Sequence, residues 1–204
     1  RRTPLHYAAQ NGHLNMVKFL VEKAKCNVAA MDEKRITPFH LAAGNGKLAI
    51  VEYLCIKGCN PHLVDKSGRA GIHYASQDGK LDVIKYLVTQ QKSSCVSRDL
   101  DHGVTPIHLA AAKGYSDILS FFGSQNECKD AMDRKDNHGR TPLHYACQNG
   151  CRDATKLLFK EYHCDPLAKD LLGATPIDLA ERSGNSGIAR FLKGGEEVRS
   201  RKPM

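Results

Sequence analysis

One four-residue motif recurs six times along this chain at a nearly constant spacing. It reads Thr-Pro-Leu-His or a close variant, and its copies begin at Thr3, Thr37, Ala70, Thr105, Thr141 and Thr175. Successive copies are 34, 33, 35, 36 and 34 residues apart, and a glycine stands nine residues after the start of each. A fixed period in this range indicates stacked supersecondary units that contact mainly their neighbours. The chain is therefore predicted to present an extended binding surface rather than one enclosed active site.

Each repeat is predicted to contain two short antiparallel helices. In the first repeat Thr3 is a favoured N-cap, and Pro4 suits the first helical position. Gly12 ends this helix because glycine readily takes the left-handed conformation after a helix C-terminus. A second helix follows, with apolar residues at three- and four-residue spacing: Leu14, Val17, Leu20 and Val21. Because this apolar stripe is too wide for one repeat to bury alone, neighbouring repeats must stack.

A turn with the pattern Asp-x-x-Gly is predicted between repeats. It occurs at 65–68, 136–139 and 170–173, where Asp favours turn initiation and Gly permits a positive φ angle. Two turns depart from this pattern. Arg35 stands where glycine is expected, and Leu100 stands where aspartate is expected. We expect these two turns to be less regular than the others.

Turn, motif, helix pair and period together resemble the ankyrin repeat over nearly all of residues 1–194. The resemblance implies an all-α repeat solenoid, in which helix-turn-helix pairs are joined by β-turn or hairpin loops and the first helices line a concave face. It also implies a role in protein recognition. The repeats it gives are 1–31 (truncated at its N-terminus), 32–64, 65–98, 99–135, 136–169 and 170–194, followed by a flexible basic tail at 195–204. It assigns structural hydrogen bonds within and between repeats to the motif histidines, which are His6, His40, His73, His108 and His144.

The two ends of the array differ in their sequence. Asp178 replaces the motif histidine and Glu181 replaces an apolar or small residue, so the last repeat is expected to form a polar C-terminal cap with a short second helix. The first repeat shows no such adaptation and lacks a preceding turn. We therefore expect upstream repeats and a longer parent protein.

The third repeat is predicted to be the weakest of the six. Ala70 and Gly71 replace Thr-Pro there, and the loss of an N-cap costs about 1 kcal/mol. Restoring both residues together, as Ala70→Thr with Gly71→Pro, is predicted to raise stability.

The eight cysteines form no recognisable zinc or disulfide signature. No Cys-x-x-Cys pair occurs, and a chain with 41% hydrophobic residues needs no disulfide framework. We expect reduced thiols and a cytoplasmic or nuclear protein. Motifs for phosphate loops, zinc proteases and serine hydrolases are also missing from the sequence. No catalytic, cofactor or metal site is predicted, and the chain is predicted not to be an enzyme.

Charge gives the main indication of function. The chain carries a net charge of +8, from 30 basic and 22 acidic residues. Basic residues concentrate at the predicted turn tips and first-helix ends, where an acidic peptide or protein surface is predicted to dock, with apolar tip residues as anchors. The candidate partner-binding residues are Lys34, Arg35, Ile36, Lys66, Arg69, Val104, Lys113, Arg140, Leu171 and Arg182. A solvated face without any partner is the other interpretation of this charge.

The leading hypothesis is a non-catalytic protein-binding module or scaffold. The alternative is the cytoplasmic ankyrin array of a membrane channel or another larger membrane-associated protein, whose contact with the membrane is indirect. Direct nucleic-acid binding is not expected, because aromatic residues make up only 6% of the chain and are expected mostly in the core, leaving few stacking platforms.

Overall fold

The computed structural model describes the backbone of residues 1–200 and the side chains of residues 1–195. All regular secondary structure in this part of the chain is helical. The chain divides into two compact units, the first unit being Arg1–Asp101 and the second unit beginning at His102. The first unit contains α1 (Pro4–Asn11), α2 (Leu14–Glu22), α3 (Pro38–Gly44), α4 (Leu48–Ile56), α5 (Gly71–Gln77) and α6 (Leu81–Thr89). The second unit contains α7 (Pro106–Lys113), α8 (Ser116–Gly123), α9 (Asn126–Lys129), α10 (Pro142–Gln148), α11 (Arg152–Lys160), α12 (Pro176–Arg182) and α13 (Ser186–Ser200).

Within each unit the helices stack in two layers. In the first unit α3 lies between α1 and α5, and α4 lies between α2 and α6. In the second unit α10 lies between α7 and α12, and α11 lies between α8 and α13. The predicted fold class, an all-α stack of helix pairs, is confirmed.

The histidine of the Thr-Pro-x-His motif organises the start of a first helix, and in repeats one, four and five it also bonds a carbonyl of the next repeat. In α3 the Thr37 N–H and hydroxyl lie 3.1 and 2.8 Å from Nδ1 of His40. Nε2 of the same ring lies 2.9 Å from the Leu63 carbonyl oxygen. A backbone N–H only donates and a carbonyl only accepts, so Nδ1 is the acceptor and Nε2 carries the proton. The predicted structural role of the motif histidines is confirmed.

The last repeat shows why aspartate replaces histidine there. Oδ2 of Asp178 accepts hydrogen bonds from the Thr175 N–H at 2.8 Å and from its hydroxyl at 2.7 Å. The carboxylate thus reproduces the Nδ1 half of the motif but has no donor for a following repeat. Glu181 is exposed, whereas the equivalent side chains of the five other repeats are buried. This end of the second unit therefore presents the polar face that the sequence predicts.

The turn that contains Arg35 is as regular as the glycine-containing turns, contrary to our expectation. Arg35 takes φ 61°, close to the 76° of Gly68 at the equivalent position. Oδ1 of Asp32 accepts from the N–H groups of Lys34 and Ile36, both at 2.9 Å. The aspartate bonds outweigh the cost of a non-glycine residue in the left-handed region, which is about 1–2 kcal/mol.

Gly71 in the third repeat accommodates a large neighbour. An ideal Cβ on Gly71 would lie 2.6 Å from Cε1 and 3.1 Å from Cδ1 of the Phe39 ring. Phe39 is fully buried in the preceding repeat, so the ring has little room to move. The missing proline is therefore a fit to Phe39 as well as a lost cap, and the predicted benefit of Gly71→Pro needs correction.

The C-terminal segment departs from the predicted flexible tail and from the predicted short helix. α13 continues through Gly194 and Gly195 to Ser200. The absence of a side chain at Gly195 lets the helix approach the Phe159 ring of α11 closely. The Phe191 ring stands edge-on to Phe159, with centroids 5.8 Å apart. This packing holds the helix where the sequence indicated a tail; the remaining tail residues, 201–204, lie outside the described part of the chain.

Candidate functional site

A cleft opens between the second and third turns of the first unit. Its volume is about 430 Å³. We call this cleft the tip cleft. It is lined by Lys34, Ile36, Asp65, Lys66, Ser67, Arg69, Tyr74 and Gln77. The two turns are held in register because the Lys66 N–H donates to the Lys34 carbonyl at 2.9 Å. Tyr74 and Gln77 reach the cleft from α5.

The one carboxylate in the tip cleft is occupied by internal hydrogen bonds. Oδ1 of Asp65 accepts from the N–H groups of Ser67 at 2.8 Å and Arg69 at 2.9 Å. Oδ2 accepts from the Tyr74 hydroxyl at 2.6 Å. Burial raises the pKa of Tyr74 well above its usual value, and the hydrogen bond to Asp65 raises it further. The phenol therefore stays protonated. Asp65 is therefore a structural group of the turn.

Arg69 is also committed to the fold. Its Nε and Nη2 donate to Oδ2 of Asp99 at 3.1 and 3.0 Å, and its Nη1 donates to Gln77 at 3.1 Å. The Asp99 side chain is fully buried, and a buried carboxylate requires such a partner. Most of the guanidinium is consequently used inside the first unit.

The two lysines of the tip cleft remain open to solvent. Lys34 and Lys66 are exposed, and neither forms an ion pair within the described residues. Arg35 lies beside Lys34 on the same turn and is exposed as well. With Asp65 and Arg69 bonded internally, the accessible charge of the cleft is positive.

The second unit carries a different tip. Arg140 donates from Nε to Asp170 at 3.3 Å and from Nη1 to Gln148 at 3.4 Å, which repeats the arrangement of Arg69. A cavity of about 360 Å³ next to it is lined by His138, Arg140, Asp170, Leu171 and Leu172. Leu171 is 76% exposed and Leu172 is 85% exposed. This tip is more apolar than the tip cleft of the first unit.

Comparison with known proteins decides the family. Residues 1–65, 39–133, 72–170 and 126–202 match a family model described as ankyrin repeats in three copies. The chain belongs to the ankyrin repeat family. Members of this family are generally non-catalytic modules for protein interaction. A search of curated proteins found no match.

A solved structure shares the whole ankyrin fold. It is the predatory endopeptidase Bd0816 from Bdellovibrio bacteriovorus in complex with the immunity protein Bd3460. One chain of that complex is 27% identical to this array, with a TM-score of 0.82. The alignment covers 95% of this chain and 98% of that chain.

The ten predicted binding residues are distributed unevenly over the ankyrin array. Four of them line the tip cleft, namely Lys34, Ile36, Lys66 and Arg69. Arg140 and Leu171 line the cavity of the second unit. Lys113 and Arg182 are exposed in the last turns of α7 and α12, outside both sites. The structure thus brings together four residues in one unit and two in the other.

Two of the predicted apolar anchors need correction. Ile36 is only 8% exposed and Val104 only 5% exposed, and both belong to the core. They immediately precede the Thr-Pro motif in repeats that have no arginine at that position, so their side chains turn inward instead of bonding at the tip. Among the predicted anchors, Leu171 alone presents an apolar side chain to solvent.

The internal role of the tip arginines was missed, although the sequence carries a signal for it. Ankyrin repeats one, three and five have Arg before the motif, Tyr directly after the motif His, and Gln three residues after that Tyr. Repeats two, four and six have Ile, Val or Ala before the motif and Leu in place of the Tyr. Arg2, Arg69 and Arg140 each bond the Asp of the following turn. Tyr74 and Tyr145 each bond the Asp of their own turn.

Within the described residues no three His, Cys, Asp or Glu side chains cluster to hold a metal ion. Burial raises the pKa of Cys59 and Cys147 to about 12, so these thiols stay protonated. One expectation was wrong, since Cys95 and Cys128 are disulfide-bonded whereas the other six cysteines are reduced.

The membrane alternative concerns a parent protein rather than this array. Across the described residues, none of the helices has the length and apolar character needed to span a bilayer.

Proposed function

We propose that this ankyrin array is a non-catalytic protein-binding module whose tip cleft holds an acidic segment of a protein partner. One observation carries the proposal. Lys34 and Lys66 stand exposed and without an ion pair on a cleft whose carboxylate is fully used by the fold. A cleft lined by charge of one sign attracts ligands of the opposite sign and steers their approach.

The contribution of each lysine is small, so the two must act together. An exposed ion pair contributes about 0–1 kcal/mol. Lys34 and Lys66 belong to adjacent turns held in register by a 2.9 Å backbone hydrogen bond. An extended segment with successive acidic side chains pairs with both without distorting the turns. The hydrophobic stripes of the helices are consumed by stacking, which leaves the tips as the exposed feature that recurs from repeat to repeat.

A protein partner is also supported by the comparisons. Ankyrin repeats generally bind proteins, and the similar solved structure is a complex between an endopeptidase and an immunity protein. The finer points, that the partner is acidic and docks at the tip cleft, rest on the lysines.

Binding of labelled model peptides to the intact chain tests the proposal. We expect an oligo-glutamate peptide to bind in fluorescence anisotropy, more weakly as salt increases, and an oligo-lysine or oligo-serine peptide not to bind. The double variant Lys34→Glu/Lys66→Glu should weaken oligo-glutamate binding by at least about tenfold, which corresponds to roughly 1.4 kcal/mol.

A matched control is available on the helical side of the fold. Lys85→Glu/Lys129→Glu changes the net charge equally at exposed positions outside the tip cleft. Equal losses in the two double variants would indicate nonspecific attraction to a basic chain and refute a defined site. Equally tight binding of single-stranded DNA would instead indicate a general polyanion surface.

A further inference from the structure

Two exposed histidines meet at neighbouring turn tips of the second unit. Nε2 of His138 lies 3.3 Å from Nδ1 of His102, and the ring centroids are 5.3 Å apart. Both side chains are exposed. The turns are fixed relative to each other because the Asn137 N–H donates to the His102 carbonyl at 2.8 Å. The pair is therefore set on a defined backbone.

The turns of this array do not share a histidine at these positions. Both residues stand three positions before the start of a repeat motif, and the equivalent residues of the other turns are Lys34, Ser67 and Leu172. These side chains share neither shape nor chemistry. The motif histidines, in contrast, are buried and use both ring nitrogens for structural hydrogen bonds. The pairing of His102 with His138 consequently calls for a separate explanation.

We propose that His102 and His138 form a two-imidazole binding site for Zn²⁺. Zinc binds imidazole nitrogen at about 2.0–2.1 Å in tetrahedral geometry, which places two ligand nitrogens about 3.3–3.4 Å apart. The observed 3.3 Å separation matches one edge of that tetrahedron. Small rotations of the exposed rings turn both lone pairs toward a shared ion.

Proton balance at the pair is simple. In the hydrogen-bonded form, one of the two facing nitrogens carries a proton and the other accepts it. For both to bind zinc, the donor ring moves that proton to its remote nitrogen and remains neutral. The ion then holds two neutral imidazoles, and the change of tautomer releases no net proton.

The two remaining zinc positions are open to water or to another ligand. Asp136 and Asp170, two turn carboxylates of the second unit, are occupied: Asp136 accepts from Tyr145 at 2.7 Å and Asp170 from Arg140 at 3.3 Å. No third protein ligand joins the pair within the described residues. The site is therefore a weak, exchangeable one that lies on the surface of the second unit.

Calorimetric titration of the intact chain with zinc chloride tests the site. We expect saturable zinc binding, and we expect His102→Gln and His138→Gln each to weaken the zinc affinity by at least about tenfold. Losing only an outer-shell partner of a zinc ligand already lowers affinity by about that factor. His62→Gln is the control, since His62 is exposed in the first unit and should leave zinc affinity unchanged. Circular dichroism establishes that each variant is folded.

Two results would overturn the site. One is zinc affinity that is unchanged in the His102→Gln/His138→Gln double variant, which would place the ion on other groups such as the reduced thiols. The other is an absence of binding by the original chain up to about 1 mM zinc, beyond which affinity is too weak to define a site. In either case the close approach of the two rings would not mark a zinc site.

Discussion

Replacing Gly71 with proline tests how closely adjacent repeats are fitted to each other. Proline at the first helical position suits five of the six repeats and, where it fits, stabilises by about 0.4–1 kcal/mol through the unfolded chain. In the third repeat the added Cβ would lie 2.6 Å from Cε1 of Phe39 and 3.5 Å from the Cβ of Ala43. We therefore expect Gly71→Pro to destabilise the original chain.

The size of the effect follows from this overlap. Carbon atoms pack at about 3.5–4.0 Å, so the contact with Phe39 is too short by roughly 1 Å. Overpacking a well-filled core costs about 1–3 kcal/mol, which exceeds the benefit of proline. The expected net loss is about 1–2 kcal/mol. Phe39→Leu supplies the smaller aliphatic side chain found at this motif position in other repeats, and in that background Gly71→Pro should stabilise by about 0.5–1 kcal/mol.

A double-mutant cycle in urea, followed by circular dichroism, measures this coupling. The free energy of unfolding is needed for the original chain, Phe39→Leu, Gly71→Pro and the double variant. Ala70→Thr, which adds only the missing N-cap hydroxyl, should stabilise by about 1 kcal/mol in both backgrounds. Equal effects of Gly71→Pro with and without Phe39, or a stabilised single variant, would refute the fit between the two residues.

Four further outcomes are expected. Arg69→Met removes a partner from the buried Asp99 carboxylate and should lower stability by about 2–3 kcal/mol, measured by urea unfolding; a change below 0.5 kcal/mol would mean that the guanidinium is dispensable to the fold. Ser76 is fully buried with an unpartnered hydroxyl, so Ser76→Ala should raise the free energy of unfolding in urea by about 1 kcal/mol. A loss of stability would contradict this. Arg35→Gly relieves φ 61° and should stabilise by about 0.5–1 kcal/mol in the same assay; a loss of stability would contradict this. Burial lowers the pKa of His73 to about 4, so between pH 4 and about 6.5 the folded state binds fewer protons than the unfolded state. The free energy of unfolding should therefore be highest above pH 6.5 and fall by about 3 kcal/mol as the pH falls toward 4. Urea midpoints at several pH values would measure this loss.

Local physical chemistry was enough to predict the repeated part of the fold. Threonine, proline and histidine at fixed spacing cap a helix wherever they occur, and the structure uses His40 in that way. The helix-ending glycines were predicted for the same reason, since Gly12 and its equivalents adopt positive φ angles. These interactions span only a few residues, so a window of sequence contains both partners.

The errors occurred where the partner lies about one repeat away. Gly71 looked like a defect because its reason, the Phe39 ring, is 32 residues earlier in the chain. Arg69 looked like a free surface charge because Asp99 is 30 residues later. The turn of Arg35 is a local exception: it looked irregular, although the hydrogen bonds of Asp32 in the same turn compensate for the missing glycine. Comparing alternate repeats, instead of averaging all six, would have exposed the arginine network.

That alternation also separates the turn residues that the fold constrains from those that it does not. An arginine from one repeat holds the aspartate of the next turn, and a tyrosine holds the aspartate of its own turn, so these positions are constrained by the fold. The turn residues between them are not constrained in this way. Three positions before the motif the chain places lysine, serine, a pair of histidines and leucine in successive turns. Chemistry that changes freely on a constant backbone is what a recognition surface requires, because it allows binding preference to vary without cost to the stack. The lysines of the tip cleft belong to these turn residues, and their substitution should therefore alter binding while leaving stability nearly unchanged.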